Sequence, residues 1–329
     1  MSRTVRRVCA CIGVVALVAG LAAVAVVQSH STNLAGTTNA LTAVIESSPA
    51  TTTSTTIPAV SRKVLHHEPT TQRDWGSCPK TLLSSVLGTR LVVPKYKNRP
   101  TVLQTANAPN GPLVVMLHGM RGCIEKLQRQ TDIEELAPSW GVNLLWLSGA
   151  PLPERSWNTN NRCCGESGAQ RVDDYAYIEA ALAATRAAGL RPSKYVVVGK
   201  SNGAGMAVSV GCHFHDVFSV VVSVAGFAGV SCTRAELSLI AMGGTADESL
   251  GAKTAENIAN LWRSRVVKCP SKPLDVRHNV ARVRTWSCAN KTYVRLVQMK
   301  GIGHIWPTWT FYNADEEVLK AALGEPFAP

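Results

Sequence analysis

From Leu87 onward, short apolar runs alternate with stretches of helical period. Leu87 to Pro94 and Thr101 to Leu103 read as short β-like runs around a turn, and Leu113 to Leu117 is the first strong strand. A helix from about Glu125 to Leu136, a strand from Val142 to Leu147 and a helix from Asp173 to about Ala188 follow. Next come a strand from Tyr195 to Val198, a small-residue helix from Gly203 to Cys212, and apolar runs at Leu237 to Met242 and Tyr293 to Met299. These runs have strand length and are rich in β-branched residues, and their alternation with helices predicts a mostly parallel sheet covered by helices. Pro151 to Gln170 interrupts the pattern with a stretch rich in Asn, Gly and Pro, expected to wall a functional site.

The chemistry clusters where the predicted strands end. Tyr195 to Val198 breaks into Gly199-Lys200-Ser201-Asn202-Gly203, a G-x-S-x-G in which the outer positions lack bulk. Strand and helix meet there at a strained turn that lifts a serine hydroxyl above the sheet. Leu237 to Met242 leads to Asp247, and Tyr293 to Met299 leads to His304. Loops on one edge of a parallel sheet converge, so Ser201, Asp247 and His304 are candidates for nucleophile, orienting acid and general base. His118-Gly119-Met120 follows a buried strand, and the N–H groups of Met120 and Asn202 are candidates for an oxyanion hole. His118 itself is expected to shape that loop by hydrogen bonding. Trp157 and Trp306 are candidate substrate-stacking faces, with Trp157 as a loop anchor the competing reading. Asp173 and Asp174 are read as structural, favouring a helix start.

The first 30 residues change the picture from a bare domain to an exported one. Arg3, Arg6 and Arg7 precede an uncharged apolar run from Val8 to Val27, so residues 1–30 read as a signal peptide or as an uncleaved membrane anchor. Residues 31–72 are rich in Ser, Thr, Ala and Pro and cannot build a core, which makes them a tether. Residues 73–329 then suffice for one large domain. Eight of the ten cysteines lie in that part, a usage that suits an oxidising compartment and lacks zinc-site spacing. Cys269 and Cys288 should close a basic excursion before the last strand. Cys163 and Cys164 are expected to pair with Cys123 and Cys232, in an order left open, with Cys78 and Cys212 left over.

The net charge is +12, and from Arg263 to Lys300 the bases are opposed by Asp275 alone. An anionic wall polymer or membrane surface is one reading of that stretch and a solvated face is the other. The interleaved aromatics of a single-strand nucleic-acid binder are missing, so no nucleic-acid partner is expected. Neither a cofactor nor a metal is expected, and the chain is taken as a monomer.

Leu117-His118-Gly119, Trp157-Asn158 with Cys163-Cys164-Gly165, Val172-Asp173-Asp174, Gly199 to Gly203, Gly244-Thr245-Ala246-Asp247 and Gly303-His304-Ile305-Trp306-Pro307 stand in order from Pro112 to Trp309. Together they resemble the polyhydroxybutyrate depolymerase and feruloyl or acetylxylan esterase family of α/β-hydrolases. The resemblance implies an α/β-hydrolase fold and a serine esterase using Ser201, Asp247 and His304. Lys200, Met120 and the Glu248-Ser249-Leu250 run after Asp247 depart from the family pattern. The reading is therefore an exported esterase acting on short or aromatic acyl esters of a polysaccharide or polyester. Rival readings are a serine peptidase of the same fold and a non-catalytic wall-binding protein on a hydrolase scaffold.

Overall fold

The computed structural model describes residues 78–79, 85–150, 155–159, 163–228, 232, 235–308, 312–325 and 327. The expected signal peptide or anchor and the tether over 31–72 lie outside the described residues, as do Asn160, Asn161 and Arg162 of the long loop. In chain order the strands are β1 (Thr89–Arg90), β2 (Thr101–Gln104), β3 (Leu113–Leu117), β4 (Asn143–Leu147), β5 (Tyr195–Lys200), β6 (Val220–Val224), β7 (Ser238–Gly244), β8 (Leu274–His278), β9 (Ala281–Ser287) and β10 (Tyr293–Met299). The helices are α1 (Ile124–Gln130), α2 (Ile133–Leu136), α3 (Gly165–Ala169), α4 (Asp174–Ala187), α5 (Asn202–His213), α6 (Thr254–Leu261) and α7 (Ala314–Leu323).

All the described strands join one sheet in the order β1-β2-β4-β3-β5-β6-β7-β10-β9-β8. The central six, β4 to β10, run parallel. Antiparallel strands extend it at both flanks, β2 and β1 on one side and β9 and β8 on the other. Every position of β3, β4 and β6 is buried, which is why these strands are written as unbroken apolar runs rather than alternating ones. Val115, Leu145 and Val197 pack on one face with Ile178 of α4, Met206 of α5 and Ile258 of α6. Val114, Met116 and Val198 pack on the other with Ile124 of α1, Ile133 of α2 and Val318 of α7. Helices on both faces leave the carboxyl edge of the sheet as the place where loops gather.

Several elements differ from expectation. The helix expected over Glu125 to Leu136 is broken at Thr131-Asp132, because the Asp132 N–H is taken by Asp315 of α7 at 3.0 Å instead of by a helical carbonyl. Neither β6 nor α7 was anticipated. Asn313 caps α7 by accepting from the Glu316 N–H, Gly324 ends it in a left-handed conformation, and buried Arg295 of β10 donates from Nε and Nη2 to the two carboxylate oxygens of Glu317. The basic excursion is an ordered hairpin, β8–β9, closed by Cys269–Cys288 as expected. The other pairings correct the sequence reading. Cys123 bonds Cys78, Cys232 bonds Cys212, and Cys163 and Cys164 bond each other. With both expected partners engaged elsewhere, the adjacent pair closes on itself.

Candidate active site

Ser201 follows β5 directly and precedes α5, with φ 57° and ψ −120°, a region that a residue with a side chain occupies only under strain. The turn is held from both sides. The Ser201 N–H donates to the Val224 carbonyl at 2.9 Å, and its own carbonyl accepts from Ala204 and Gly205. Any Cβ at Gly199 would collide with the Gly203 carbonyl, and one at Gly203 with the carbonyls of Leu117 and His118. Glycine at both positions is therefore a packing requirement that lets the end of β3 lie against the start of α5.

That contact positions the second loop. A Cβ built on Gly119 would stand 3.3 Å from the Ser201 Cβ and 3.9 Å from its Oγ, so the loop passes directly over the hydroxyl. Met120 follows with its side chain half exposed. Asn202 is the first residue of α5, so its N–H has no partner within the helix and points, with the helix dipole, toward the turn. Its side chain clamps the facing loop, accepting from the Trp157 N–H at 2.7 Å and donating to the Trp157 carbonyl at 3.0 Å.

His118 is the buried joint of this assembly. Its Nδ1 is 2.7 Å from the Gly119 carbonyl and its Nε2 is 2.9 Å from the Gly149 N–H, so the neutral ring with its proton on Nδ1 satisfies both. Burial pushes its pKa down to about 3, outweighing the hydrogen bond to Gly119. The residue thus shapes the loop, as expected, and does so as a neutral imidazole.

On neighbouring strand ends the acid and the histidine meet. His304 Nδ1 lies 2.8 Å from Asp247 Oδ2. Asp247 Oδ1 accepts from the N–H groups of Ser249 and Leu250, which also explains why this loop tolerates Glu248-Ser249-Leu250. Burial pulls the Asp247 carboxyl upward, yet the bonds from His304, Leu250 and Ser249 outweigh it and hold the group below the usual carboxylate range. The acid and histidine loops touch backbone to backbone, since Ala246 N–H bonds the Ile302 carbonyl and Gly244 leaves no room there for a Cβ. Val224 and Met242, hydrogen-bonded to Ser201 and Ala225, continue the same edge from β5 to β7.

Two expectations about aromatic faces are corrected. Trp157 is 0% exposed and donates its indole N–H to the His118 carbonyl at 2.8 Å, so it anchors the long loop in the core. Trp306 is 3% exposed and donates to Asp315, which fixes the chain after His304 to α7. Neither ring is available for stacking. Sequence reasoning also missed the ion pair beneath the loop. Arg99 meets Asp174 at 2.7 Å, both buried, and Asp174 in turn accepts from the Asn158 N–H at 2.7 Å and the Ser167 hydroxyl at 3.1 Å. Asp173 caps α4 as a structural residue should, but Asp174 tethers the Trp157-Asn158 loop. Its signal was the pairing of two acids at a helix start with a distant, otherwise unexplained Arg99. Lys200, the elbow residue before Ser201, is buried, with its Nζ 3.1 Å from Gln130 Oε1. Burial, and then repulsion from Lys126, push its pKa down to about 8 against the pull of Asp247.

A parallel sheet wound by helices on both faces, with a serine turn over its carboxyl edge, makes this chain an α/β-hydrolase. It is a carboxylic ester hydrolase, and residues 102–257 match the family described as Esterase PHB depolymerase. Among solved structures, an acetyl xylan esterase from Aspergillus awamori shares the fold, with 16% identity, 69% of this chain and 94% of that chain covered, and a TM-score of 0.54. A Bacillus cereus carboxylesterase is matched at 18% identity over 69% of this chain and 92% of its own, with a TM-score of 0.46. No curated protein sequence matches the chain. Among the described residues no helix is long and apolar enough to cross a membrane, and no cluster of His, Cys, Asp and Glu could hold a metal ion.

Proposed function

We propose that the chain is an exported serine esterase that hydrolyses carboxylic esters through Ser201, His304 and Asp247. The observation that carries this reading is the 2.8 Å hydrogen bond between His304 and Asp247 on the same sheet edge as the strained Ser201 turn. With its Nδ1–H held by Asp247, His304 presents a free Nε2 that accepts the Ser201 proton as Oγ attacks the ester carbonyl. The backbone N–H groups of Met120 and Asn202 stabilise the oxyanion, and Gly119, Gly203 and His118 fix their positions. The imidazolium then protonates the departing alcohol, leaving an acyl-enzyme. Water enters, His304 takes its proton, and the tetrahedral intermediate collapses to free acid and Ser201.

Short or aromatic acyl groups carried on a polymer or glycan fit this site better than long lipids. The described helices between Ser201 and His304, α5 and α6, both pack on the sheet and form no apolar lid. Four disulfides among the described residues support an extracellular setting. Ser201→Ala should lower kcat on p-nitrophenyl acetate by several orders of magnitude and abolish labelling by an organophosphonate, with the circular dichroism spectrum unchanged. Wild-type turnover in that variant would remove Ser201 from the mechanism.

A further inference from the structure

The β8–β9 hairpin, inserted between α6 and β10, carries a charge imbalance that the catalytic reading does not use. Cross-strand partners in an antiparallel ladder point to one face, and here Arg277 stands directly opposite Arg282, with Arg284 two residues further along β9. Like charges at directly opposed positions destabilise a ladder, so this placement works against the fold unless something negative lies across it. Asp275 binds Arg282, and Glu256 binds Arg284 at 2.9 Å. Those two acids leave a surplus on the face, because Arg263 stacks over Trp286 on the same side, 4.1 Å from the ring centre, and Arg277 and Lys300 at the turn end are exposed.

The hairpin also points the right way. β10 ends at Met299 beside Gly244 of β7, Ala281 pairs with Met299, and the Lys300 N–H bonds the Val280 carbonyl at 3.0 Å. The turn at Asn279-Val280, with Arg277, Arg282 and exposed Lys300, therefore lies on the carboxyl edge that carries Asp247 and His304. Five strand spacings of about 4.8 Å put Arg277 roughly 24 Å from Ser201 along that edge. A polymer of several repeat units spans this distance and a single-unit ester does not.

We propose that the β8–β9 hairpin is a docking strip for an anionic polysaccharide, which it holds while an ester on the same chain reaches Ser201. This substrate class rests on the esterase reading above. A hydrated polyanion fits the strip better than a bilayer does, because the turn residues His278 and Asn279 are polar, whereas Leu274, the exposed apolar residue of β8, sits at the far end of the strand. A nucleic acid fits less well, because Trp286, the aromatic residue of the strip, is buried beneath Arg263 and offers no open face to a base. Arg282 is held by Asp275, and exposed Arg277 opposite it suits the forked oxygens of carboxylate or sulfate groups.

The test uses the full chain and Arg277→Gln/Lys300→Gln, compared on acetylated polygalacturonate, acetylated xylan of equal acetyl content, and p-nitrophenyl acetate. At low salt the wild type should favour the anionic polymer. The double variant should lose about five-fold in kcat/KM on it, through KM, with acetylated xylan and p-nitrophenyl acetate unchanged. Raising salt to 0.5 M should erase the wild-type preference, since exposed charges are then screened. Equal rates on the two polymers, or a preference that survives both the substitutions and the salt, would overturn the strip. Affinity electrophoresis through polygalacturonate gels gives a readout independent of catalysis. Retardation lost in the double variant supports the strip even if no ester is cleaved, a result that would sink only the esterase reading. Absence of retardation, or binding to phosphatidylglycerol vesicles in its place, overturns the strip itself.

Discussion

Asn202 joins two loops from the start of α5. Its side-chain amide closes two hydrogen bonds on Trp157, and its backbone N–H is the one proposed for the oxyanion hole. One residue thereby ties the serine turn to the long loop, and the S-N-G motif carried no sign of that side-chain role. Lys200, its near neighbour, makes a stability prediction. Its pKa falls from the 10.5 of an exposed lysine to about 8. Between those values the unfolded chain holds a proton that the folded chain has released, so stability rises with pH across the window, by at most about 1.4 kcal/mol per pH unit. Below pH 8 both states are charged and the folded state bears the desolvation cost in full. Lys200→Met should therefore stabilise the protein by about 1–3 kcal/mol at pH 7 and show no such rise between pH 8 and 10.5, as read by urea unfolding. Equal stability and the same slope in the variant would mean that the ammonium group reaches water.

At the scale of elements, the legible parts were those whose pattern is set locally. β3, β4, β5, β7 and β10 are buried on both faces, and a continuous apolar run can mean little else when a glycine-rich turn follows. The serine turn was readable because its glycines are required by backbone contacts that recur wherever a strand meets a helix so sharply. What escaped was decided by distant partners. The break at Thr131-Asp132 depends on Asp315, and the role of Asp174 on Arg99, 75 positions away in the chain. The pairing expected for Cys163 and Cys164 with Cys123 and Cys232 failed for the same reason, since spacing alone does not show which loops adjoin. The hairpin closed by Cys269–Cys288 yields a prediction of its own. Replacing both cysteines by serine should cost about 3 kcal/mol through the loop entropy regained on unfolding. Hydrolysis of p-nitrophenyl acetate should remain near wild type, and a collapse of that activity would show that the hairpin braces His304.

For the molecule as a whole, the sheet divides its labours by position. The parallel centre carries the proposed site at its carboxyl edge, and the antiparallel flanks extend the sheet on either side. With α5 and α6 both packed on the sheet, no interfacial activation is expected. Rates on tributyrin should rise smoothly through its solubility limit, and long-chain triglycerides should be poor substrates beside short esters. A sharp jump in rate at the emulsion boundary would point to a lid among the residues lining the site.

The outermost strand, β8, has a last consequence. An edge strand offers unpaired amides and carbonyls to any other chain that can lie alongside it, and an enzyme working at high local density on a polymer meets its own copies often. β8 sets Asp275, Arg277 and His278, all exposed, along that border. Charged side chains along that border disfavour the approach of a second copy edge to edge. The same charges that suit a polyanion thus act as gatekeepers against strand-to-strand aggregation.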